Sequence, residues 1–575
     1  TGLTQLGTNY YYTNNPFYNM SSVKKITFNS EKVPTTPCAD TFEYMNNLET
    51  VYVPAVSYND YVERFTPYIN NGRILMNSND EFVVSDGVLL QYTGEATDVT
   101  IPGTVEEISE SAFKNNKKIT SITIGESVSK IGKSVFSGCT SLKSVNLTDK
   151  ITTIDNYAFN GCTALTEITI PNSVETIGNY AFYKCTSLTG ELVIPSSVKT
   201  IGDYAFAEDN KITSITIKGN ADGTTIGNSS FQNNTSVKTL DLGNVTSIGS
   251  YAFNNCTSLT GKLTIPNSVT TINNDAFSYC KSITEIDFSK NLDTINYETF
   301  SNCTSLKKIT IPDYVKTIDN RAFSSCTNVT EIELGTGLTQ LGTNYYYTNN
   351  PFYNMSSVKK ITFKTEKVPT TPCADTFEYM NNLETVYVPV DGYSDYVTRF
   401  SPYINNARIV MISDSDFVIK DGVLLQYSGT DTDVVIPDNV TEIGDSAFKN
   451  NTNIKKVTFS KNIKKINQSA FYSCTNLETV IFNNLISSIG NSAFYGCTKL
   501  SGVLKISENT RSVGNYAFAN CTSLTSVEIA SNNEEIKIGD YSFQNDTSIK
   551  SISLGNVTSI GKYAFDNCKG INTKV

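Results

Sequence analysis

The sequence predicts a β-rich solenoid, in which short coils of similar sequence stack on one another. Three observations predict this fold. A marker phenylalanine returns every 22 to 25 residues from Phe113 to Phe323, and again from Phe448 to Phe565. An aliphatic residue follows each marker by six positions, and an isoleucine, replaced by Val513 in one unit, precedes each regular marker by five. A fixed period of this length is typical of repeat architectures, because one such unit cannot bury its own apolar face.

Each repeat contains one predicted strand, which follows the aliphatic residue. The spacing there becomes apolar-x-apolar, as in the ITI of residues 168–170, and this period of two predicts one buried and one exposed face. Stacking pairs these strands in parallel, so that each inward side chain packs on its copies in the neighbouring coils. Four divergent units bring the total to 20, with their markers at Phe17, Phe42, Phe352 and Phe377.

A cysteine stands three residues after the marker in 11 units, as in Cys162 and Cys280. Two interpretations compete: a metal or redox site repeated along the chain, and a buried packing position. Asparagine, aspartate or methionine takes this position in the other nine units, and a metal site would not accept those exchanges. No C-x-x-C pair occurs and the total of 13 cysteines is odd, which excludes a complete disulfide framework. We therefore predict a buried structural thiol.

The composition argues against several classes of function. The 575 residues include no histidine, so Ser-His-Asp and Cys-His machinery and histidine-ligated metals are excluded. A net charge of −11 argues against nucleic acid as a partner. No stretch approaches the length of a membrane span. We predict no enzyme, with no catalytic residue, no metal and no cofactor, and keep a glycosidase built on a carboxylate pair as a distant alternative.

The repeat resembles that of a known family. Cysteine or asparagine, then leucine three residues on, then isoleucines at plus six and plus eight, matches the C/N-x-x-L-x-x-I-x-I core of leucine-rich repeats. The fuller form IPNSVETIGNYAFYKCTSL, residues 170–188, closely resembles the BspA-like subclass. The resemblance implies a right-handed solenoid with a parallel sheet on one face and short irregular or 3-10 turns on the other. It also implies a secreted or surface protein of a bacterium or protozoan, often tied to adhesion, without catalytic residues.

A longer repeat overlies the short one. Residues 1–54 recur at 336–389 with 52 of 54 positions identical. The offset of 335 later falls to 312, a difference of 23 residues, which is one whole unit. A solenoid tolerates such a loss because each coil contacts only its neighbours.

Two insertions punctuate the longer repeat. Residues 57–69 carry apolar side chains at helical spacing, with Ser57 as the predicted N-cap and Pro67 as the stop signal. Residues 82–92 carry two apolar runs joined by Asp86-Gly87, which predicts a hairpin. We interpret the helix as a cap on one array and the hairpin as the start of the next. The predicted domains are the end of one module (1–77), a complete module (78–412) and the start of a third (413–575).

The outward residues of the strands are the predicted ligand surface. They are Ser, Thr or Lys in most repeats, but three consecutive repeats carry more charge, at Glu285, Asp287, Lys308, Glu331 and Glu333. At a strand spacing of about 4.8 Å, Glu285, Lys308 and Glu331 should form one row. The row is either a solvated ladder of charges or a docking patch for a cationic partner.

An enlarged turn is the second candidate surface. The stretch NYYYTNNPFYNM at residue 9 returns at residue 344 and includes Tyr345, Tyr346 and Tyr347. Tyrosine is favoured in contact surfaces. The competing interpretation is that these rings pack against the convex side of an enlarged coil.

The leading functional hypothesis is an extracellular, cell-surface adhesin. It would bind a protein or glycan on a host or neighbouring cell through its solenoid surface. The alternative is a structural polymer, an extracellular fibre or sheath formed by self-association of tandem modules. The near-identity of the two copies favours this alternative, because duplication lengthens a rod without requiring new chemistry.

Overall fold

The computed structural model describes residues 20–35, 47–65, 73–78, 80–342, 350–371, 380–404, 407–412, 415–530 and 535–571, with the single residues 6, 17, 42, 45, 69 and 377. It forms two compact units. The first comprises Thr1–Thr385 and Thr398–Ala407, and the second comprises Val386–Val397 and Arg408–Val575. Within each unit short strands pair in parallel from coil to coil, which confirms the predicted leucine-rich repeat solenoid.

Strands and helices are numbered in chain order. The strands up to residue 363 are β1 Lys25–Thr27, β2 Thr50–Val53, β3 Arg73–Met76, β4 Phe82–Ser85, β5 Val88–Tyr92, β6 Asp98–Thr100, β7 Glu107–Ile108, β8 Ser121–Thr123, β9 Lys130–Ile131, β10 Ser144–Asn146, β11 Thr153–Ile154, β12 Thr176–Ile177, β13 Thr189–Ile194, β14 Thr200–Ile201, β15 Lys211–Ile217, β16 Thr224–Ile226, β17 Thr239–Asp241, β18 Val245–Ile248, β19 Gly261–Thr264, β20 Thr271–Ile272, β21 Ile283–Asp287, β22 Thr294–Ile295, β23 Lys308–Ile311, β24 Thr317–Ile318, β25 Glu331–Leu334, β26 Gln340–Leu341 and β27 Lys360–Phe363.

The later strands are β28 Thr385–Val388, β29 Arg408–Met411, β30 Phe417–Lys420, β31 Val423–Tyr427, β32 Asp433–Val435, β33 Glu442–Ile443, β34 Lys456–Thr458, β35 Lys465–Ile466, β36 Thr479–Ile481, β37 Ser488–Ile489, β38 Gly502–Ile506, β39 Ser512–Val513, β40 Leu524–Ile529, β41 Ile536–Ile538, β42 Ser551–Ser553 and β43 Val557–Ile560. The two α-helices are α1 Tyr58–Phe65 and α2 Tyr393–Phe400. Among the described residues no helix has the length and apolar character needed to cross a membrane.

Two parallel ladders connect the coils. The first ladder consists of the predicted strands after the aliphatic residue, such as β6, β8 and β10, where Ile122 pairs with Val99 and Val145. The second ladder lies at the isoleucine five residues before the marker, and the sequence did not predict it. There Ile154 pairs with both Ile131 and Ile177. Among the described residues, this ladder forms a ten-stranded sheet and the three-stranded sheet β22–β24–β26 in the first unit, and an eight-stranded sheet in the second.

The marker phenylalanines form the centre of the core. Successive rings from Phe113 to Phe323 lie 4.9 to 5.6 Å apart between centroids, and those from Phe448 to Phe565 lie 4.6 to 5.4 Å apart. The turn side is also bonded from coil to coil, since the Phe136 N–H donates to the Ala158 oxygen at 2.8 Å. A Cβ on Gly202 would lie 2.5 Å from the carbonyl carbon of Gly178. Glycine before the marker therefore permits the close approach of adjacent turns.

One predicted strand is wrong. Residues 168–170 form no strand, although Thr169 is exposed and Ile170 is buried as the alternation requires. The next coil is one residue longer here, and its strand β13 pairs with β15 through a bulge between Gly190 and Glu191. The extra residue moves the backbone donors and acceptors out of line, so the first ladder is interrupted between β10 and β13. The side chain of Ile170 nevertheless stays buried, because it packs in the core.

The helix before residue 77 is confirmed, but its predicted cap is wrong. Tyr61 and Phe65 on α1 are fully buried and pack on Phe28, with ring centroids 5.3 and 5.4 Å from it. Ser57 is the last residue of a 3-10 turn, Ala55–Ser57, that runs directly into α1. The Ser57 hydroxyl instead donates to the Glu31 carbonyl oxygen. The stop signal Pro67 lies outside the described residues.

The hairpin is confirmed. Strands β4 and β5 pair in antiparallel, and both turn residues have a positive φ, 48° at Asp86 and 75° at Gly87. These are the values of the tight turn that an Asp-Gly pair favours. Strand β5 then pairs in parallel with β7, so the hairpin opens the second ladder. The division into three modules stays a prediction.

Candidate ligand surface

The strand face is the set of outward side chains on the first ladder, and its charged part includes the predicted row. In the paired strands β19 and β21, Lys262 lies opposite Glu285. The Lys262 Nζ is 3.4 Å from Glu285 Oε1 and 3.2 Å from Asp287 Oδ2. Both acids are therefore matched by a lysine of the preceding coil, which the sequence analysis had not assigned to the row.

The next charged pair of strands repeats this arrangement. Lys308 lies opposite Glu331, and its Nζ is 3.9 Å from Glu331 Oε2 and 3.1 Å from Glu333 Oε2. Lys364 also pairs with Glu333. The hydrogen bond from Lys364, followed by that from Lys308, holds the pKa of Glu333 below its usual value.

The backbone hydrogen bonding beneath the predicted row is interrupted. Strands β21 and β23 belong to different sheets, so the ladder stops between Glu285 and Lys308. A cavity of about 320 Å³ lies at this break, lined by Glu285, Lys308, Phe288 and Phe323 among others. Because Glu285 pairs with Lys262, the row divides into two separately compensated groups.

The charges of these groups cancel. Four lysines (Lys262, Lys308, Lys360, Lys364) face four acids, since Lys360 of β27 lies opposite Glu331. The side chains of Glu285 and Lys308 are 64% and 50% exposed, so their ion pairs are screened by water and stabilise the fold little. The second candidate surface, Tyr345, Tyr346 and Tyr347, lies outside the described residues.

The thiol column is the position three residues after each marker, and it is a packing position. Every described cysteine there is buried. Its Sγ lies 3.0 to 3.4 Å from the carbonyl oxygen of the marker phenylalanine in the preceding coil, as for Cys139 and Phe113. Burial raises the pKa of the Cys139, Cys256 and Cys326 thiols to about 12, so these sulfurs stay protonated. The predicted structural thiol is confirmed. Cys38 and Cys373 lie outside the described residues.

At other coils of the column Asn234 contacts the same carbonyl group as a cysteine, whereas the Asp546 side chain contacts a backbone N–H instead. Asn234 donates from its amide to the Phe206 oxygen at 3.0 Å and accepts from the Asp209 N–H at 2.8 Å. Asp546 accepts from the Cys521 N–H at 2.7 Å, and its carboxyl is fully buried. Burial raises the pKa of Asp546 to about 9. Within the described chain no group of three or more metal-ligating side chains is assembled.

A carboxylate pair with an altered pKa lies on the turn side. Burial, followed by the charge of Glu298, raises the pKa of Asp275 to about 6. Arg321 Nη1 lies 2.8 Å from Glu298 Oε1, and the guanidinium stands 5.5 Å from the centre of the Tyr353 ring. This cluster was not predicted from the sequence, because Asp275, Glu298 and Arg321 follow one another at 23 residues and meet only when coils stack.

A surface tyrosine stack was also missed. Tyr157, Tyr180 and Tyr204 stand two residues before their markers, and their rings stack at 5.0 and 4.7 Å. A second stack of Tyr516, Tyr541 and Tyr563 has spacings of 4.8 and 5.2 Å. The motif NYAF, which recurs with small changes in other repeats, could have predicted these stacks from the sequence.

The repeat matches the model of a known protein family. Six copies of the BspA type leucine rich repeat region match the chain, at residues 89–213, 152–284, 246–363, 282–394, 425–537 and 536–574. No curated protein shows a significant match.

Several solved structures are similar to the chain. One is a leucine-rich repeat protein from Bacteroides ovatus, 19% identical, with 86% of this chain and 92% of that chain covered and a TM-score of 0.34. A leucine rich cell surface protein from Faecalibacterium prausnitzii is 20% identical, with 85% and 91% covered and a TM-score of 0.20. A leucine-rich repeat protein from T. pallidum is 25% identical, with 34% and 80% covered and a TM-score of 0.27. At these TM-scores the likeness carries no argument about function. The six family matches together span most of the sequence, and the chain belongs to the BspA-type leucine-rich repeat family.

Proposed function

We propose that this protein is a non-enzymatic surface protein that acts outside the cell and binds a protein or glycan on another surface. Its family consists of repeat proteins that are often found at the surface and are generally not enzymes. The observation that carries the proposal is the strand face. Its outward residues alternate with buried ones on each strand, so every coil contributes polar, accessible side chains that the core does not need.

The repeated interior supports this separation between buried residues that hold the fold and exposed residues that can bind a partner. The marker phenylalanines, the paired isoleucines and the thiol column are all used in contacts between adjacent coils. Exposed positions such as Thr123 and Thr264 contribute little to those contacts. A solenoid of this kind presents an extended surface whose residues can change without loss of the fold.

The test compares binding by face and control variants of the whole chain. Thr123→Arg with Thr264→Arg places two large cations on the strand face, whereas Thr140→Arg with Thr270→Arg makes the same change at exposed positions outside the first ladder. Binding of each protein to intact cells and to extracellular matrix is measured, after circular dichroism has shown that both variants fold. We expect the face variant to lose binding and the control to keep it. Equal behaviour of the two variants would contradict the proposal.

The charged row is a more specific proposal of the same kind. Reversal of Glu285, Asp287, Glu331 and Glu333 to lysine would abolish the docking of a cationic partner. A solvated ladder predicts unchanged binding and a small change in stability. The compensating lysines favour the second result. Tyr345, Tyr346 and Tyr347 remain a proposed contact surface, for which replacement by serine should reduce binding or assembly.

A structural polymer is the second candidate function. The observation that favours it is the near-identity of residues 1–54 and 336–389, with 52 of 54 positions the same. We propose the three modules 1–77, 78–412 and 413–575 as the repeating pieces of such a fibre. Light scattering after size exclusion, over a wide concentration range, separates the candidates. Growth into long assemblies supports the polymer, and a monomer at every concentration supports the adhesin.

A further inference from the structure

A cleft in the first unit lies beside the edge of the sheet β1–β2–β3. It has a volume of about 550 Å³, within the usual range for sites that bind small molecules. Residues of β1, β2 and β3 line one side, and Glu95 with residues 115–118 line the other. The cleft exists because β3 and β6 are edge strands of separate sheets, so coil stacking on this face is interrupted there. We call it the junction cleft.

The junction cleft is basic although the chain is acidic. Five cations line it, and two carboxylates, which gives a local charge of +3 against −11 for the chain. The cations are Lys24, Lys25, Arg73, Lys117 and Lys118. Charges beyond about 8 Å are screened at physiological ionic strength. A ligand in the cleft therefore experiences mainly the local positive charge.

Part of this charge is already compensated. Lys24 pairs with Glu49 at 3.0 Å, and Lys118 pairs with Glu95. Among the described residues no carboxylate lies within ion-pair distance of Lys25 or Lys117, both of which are exposed. The Lys25 ammonium instead stands 4.1 Å from the centre of the Tyr52 ring. The two exposed ammonium groups of Lys25 and Lys117 thus remain available to an anion.

Arg73 supplies a fixed charge. Its Nε donates to the Lys114 oxygen at 3.2 Å, and its Nη2 donates to the Tyr92 oxygen at 2.8 Å. These carbonyls are neutral, so within the described part of the chain no carboxylate compensates the positive charge of the guanidinium, although burial lowers the pKa of Arg73. The hydrogen bond and charge of Lys24, and then the charges of Lys118 and Lys117, lower the pKa of Glu49. Lysines on both sides of the cleft therefore contribute to one positive electrostatic potential inside it.

The edge of β3 is closed to another strand. The Gln91 amide donates to the Ile74 oxygen at 2.8 Å, and the Met76 N–H donates to the Gln91 side-chain oxygen. The side chain of Gln91 thus occupies backbone groups that an added peptide strand would use. The apolar residues that line the cleft, Leu48 and Leu75, are buried, so no apolar pocket is open to a peptide side chain. Recognition here depends on polar and charged side chains.

We propose that the junction cleft binds a short acidic oligosaccharide, held by Lys25, Lys117 and Arg73 through its uronate or sulfate groups. A sugar provides hydroxyls for the amides of Asn47 and Asn115 and needs neither a strand edge nor an apolar pocket. This inference rests on the proposed binding role and specifies one ligand class for it.

The repeat offers a natural control for the test. In the copy 335 residues on, the counterparts of Lys117 and Lys118 are Thr452 and Asn453, whereas Arg73 and Lys25 keep their counterparts Arg408 and Lys360. Lys117→Thr with Lys118→Asn therefore introduces residues that the same repeat already accepts. Lys461→Thr with Lys464→Asn removes two exposed lysines outside the cleft and serves as the matched charge control.

Isothermal titration calorimetry of the whole chain at physiological salt is the experiment. The probes are hyaluronan oligosaccharides, which carry uronate only, heparin oligosaccharides, which also carry sulfate, neutral chitin oligosaccharides and a polyglutamate peptide. We expect one or both acidic sugars to bind, the neutral sugar not to bind, and the cleft variant to bind about tenfold or more weakly. The charge control should bind like the unsubstituted chain. Comparing hyaluronan with heparin shows whether uronate suffices.

Three results would overturn the inference. In the first, neither acidic sugar binds. In the second, the cleft variant and the charge control bind equally weakly. In the third, polyglutamate binds as tightly as the sugars. The cell and matrix assay separates this failure from failure of the proposed function. A chain that binds cells through its strand face but binds no acidic sugar keeps the proposed function and loses only the junction cleft.

Discussion

The thiol column and the strand face repeat with the same period but are held by different interactions. In the thiol column, Cys280 is fully buried and its Sγ lies 3.2 Å from the Phe253 oxygen of the preceding coil. On the strand face, Lys308 lies 3.1 Å from Glu333 but is half exposed. The first contact joins a side chain to a backbone group in a dry interior. The second joins two side chains in water.

This difference explains which residues each region accepts. A buried carbonyl without a donor costs free energy, so the column favours side chains that can donate to it, such as Cys and Asn. The buried methionine Met355 belongs to the coil with the enlarged turn and offers packing alone. Exposed ion pairs contribute little, so the strand face is free to vary with the partner. Substitutions in the two regions should therefore separate stability from binding.

The largest effect is expected from a marker ring. Phe253 lies between Phe231 and Phe277 at 5.2 Å from each, and it is buried. Phe253→Ala should cost about 3–5 kcal/mol in the free energy of unfolding, because it leaves a cavity between two coils. Urea unfolding measures this loss. Tyr279→Ala, at a ring 43% exposed, is the control and should cost less than about 1 kcal/mol. Similar losses in the two variants would contradict the assignment of the core.

The next effect depends on pH. Burial raises the pKa of Asp546 to about 9 in the folded protein, whereas the ordinary value of an aspartate is 3.8. The folded state therefore holds its proton more tightly, and the stability from this group is complete below about pH 4 and is lost as the pH rises towards 9. The folding equilibrium should weaken roughly tenfold per pH unit across this window. Asp546→Asn should be more stable than the natural chain at pH 7.

The measurement is the urea midpoint of both proteins at pH 4, 5.5 and 7. Asn234 occupies the thiol column of another coil with both amide groups bonded, so asparagine fits this position. The difference between variant and natural chain should grow with pH. A difference that is constant with pH would mean that Asp546 is ionised in the folded protein.

A smaller effect is expected from one thiol. Cys280→Ala removes the donor to the Phe253 oxygen and should cost about 1–3 kcal/mol. Cys280→Ser keeps a donor in the same place and should be more stable than the alanine variant in urea unfolding. If alanine is the better replacement, the Sγ contact is packing without a hydrogen bond.

The smallest effect is expected on the strand face. Lys308→Gln removes the ion pairs to Glu331 and Glu333, and should change the free energy of unfolding by less than about 1 kcal/mol. The same urea measurement at low and high salt checks this value. A loss as large as that of Cys280→Ala would show that the charged groups are part of the fold and would weaken the case for a variable ligand surface.

The local elements were predictable where their signal lies within one repeat. The hairpin follows from Asp86-Gly87 and its flanking apolar runs, and α1 follows from four apolar residues at helical spacing. The second ladder was missed because its strands are as short as two residues, such as Thr153–Ile154, too short for any alternation to be visible. Ser57 was misassigned because its hydroxyl bonds to Glu31, 26 residues away.

The sequence by itself determined the period, the stacking of coils and the structural role of the cysteines. Each of these depends on one residue type returning at a constant spacing, which places copies against copies in any solenoid. Only the tertiary structure decided where the first ladder stops, which acid pairs with which lysine, and where Lys25, Lys117 and Arg73 come together. Those relations join residues from different coils across irregular insertions. Such distances depend on the exact path of the backbone, which no local pattern encodes.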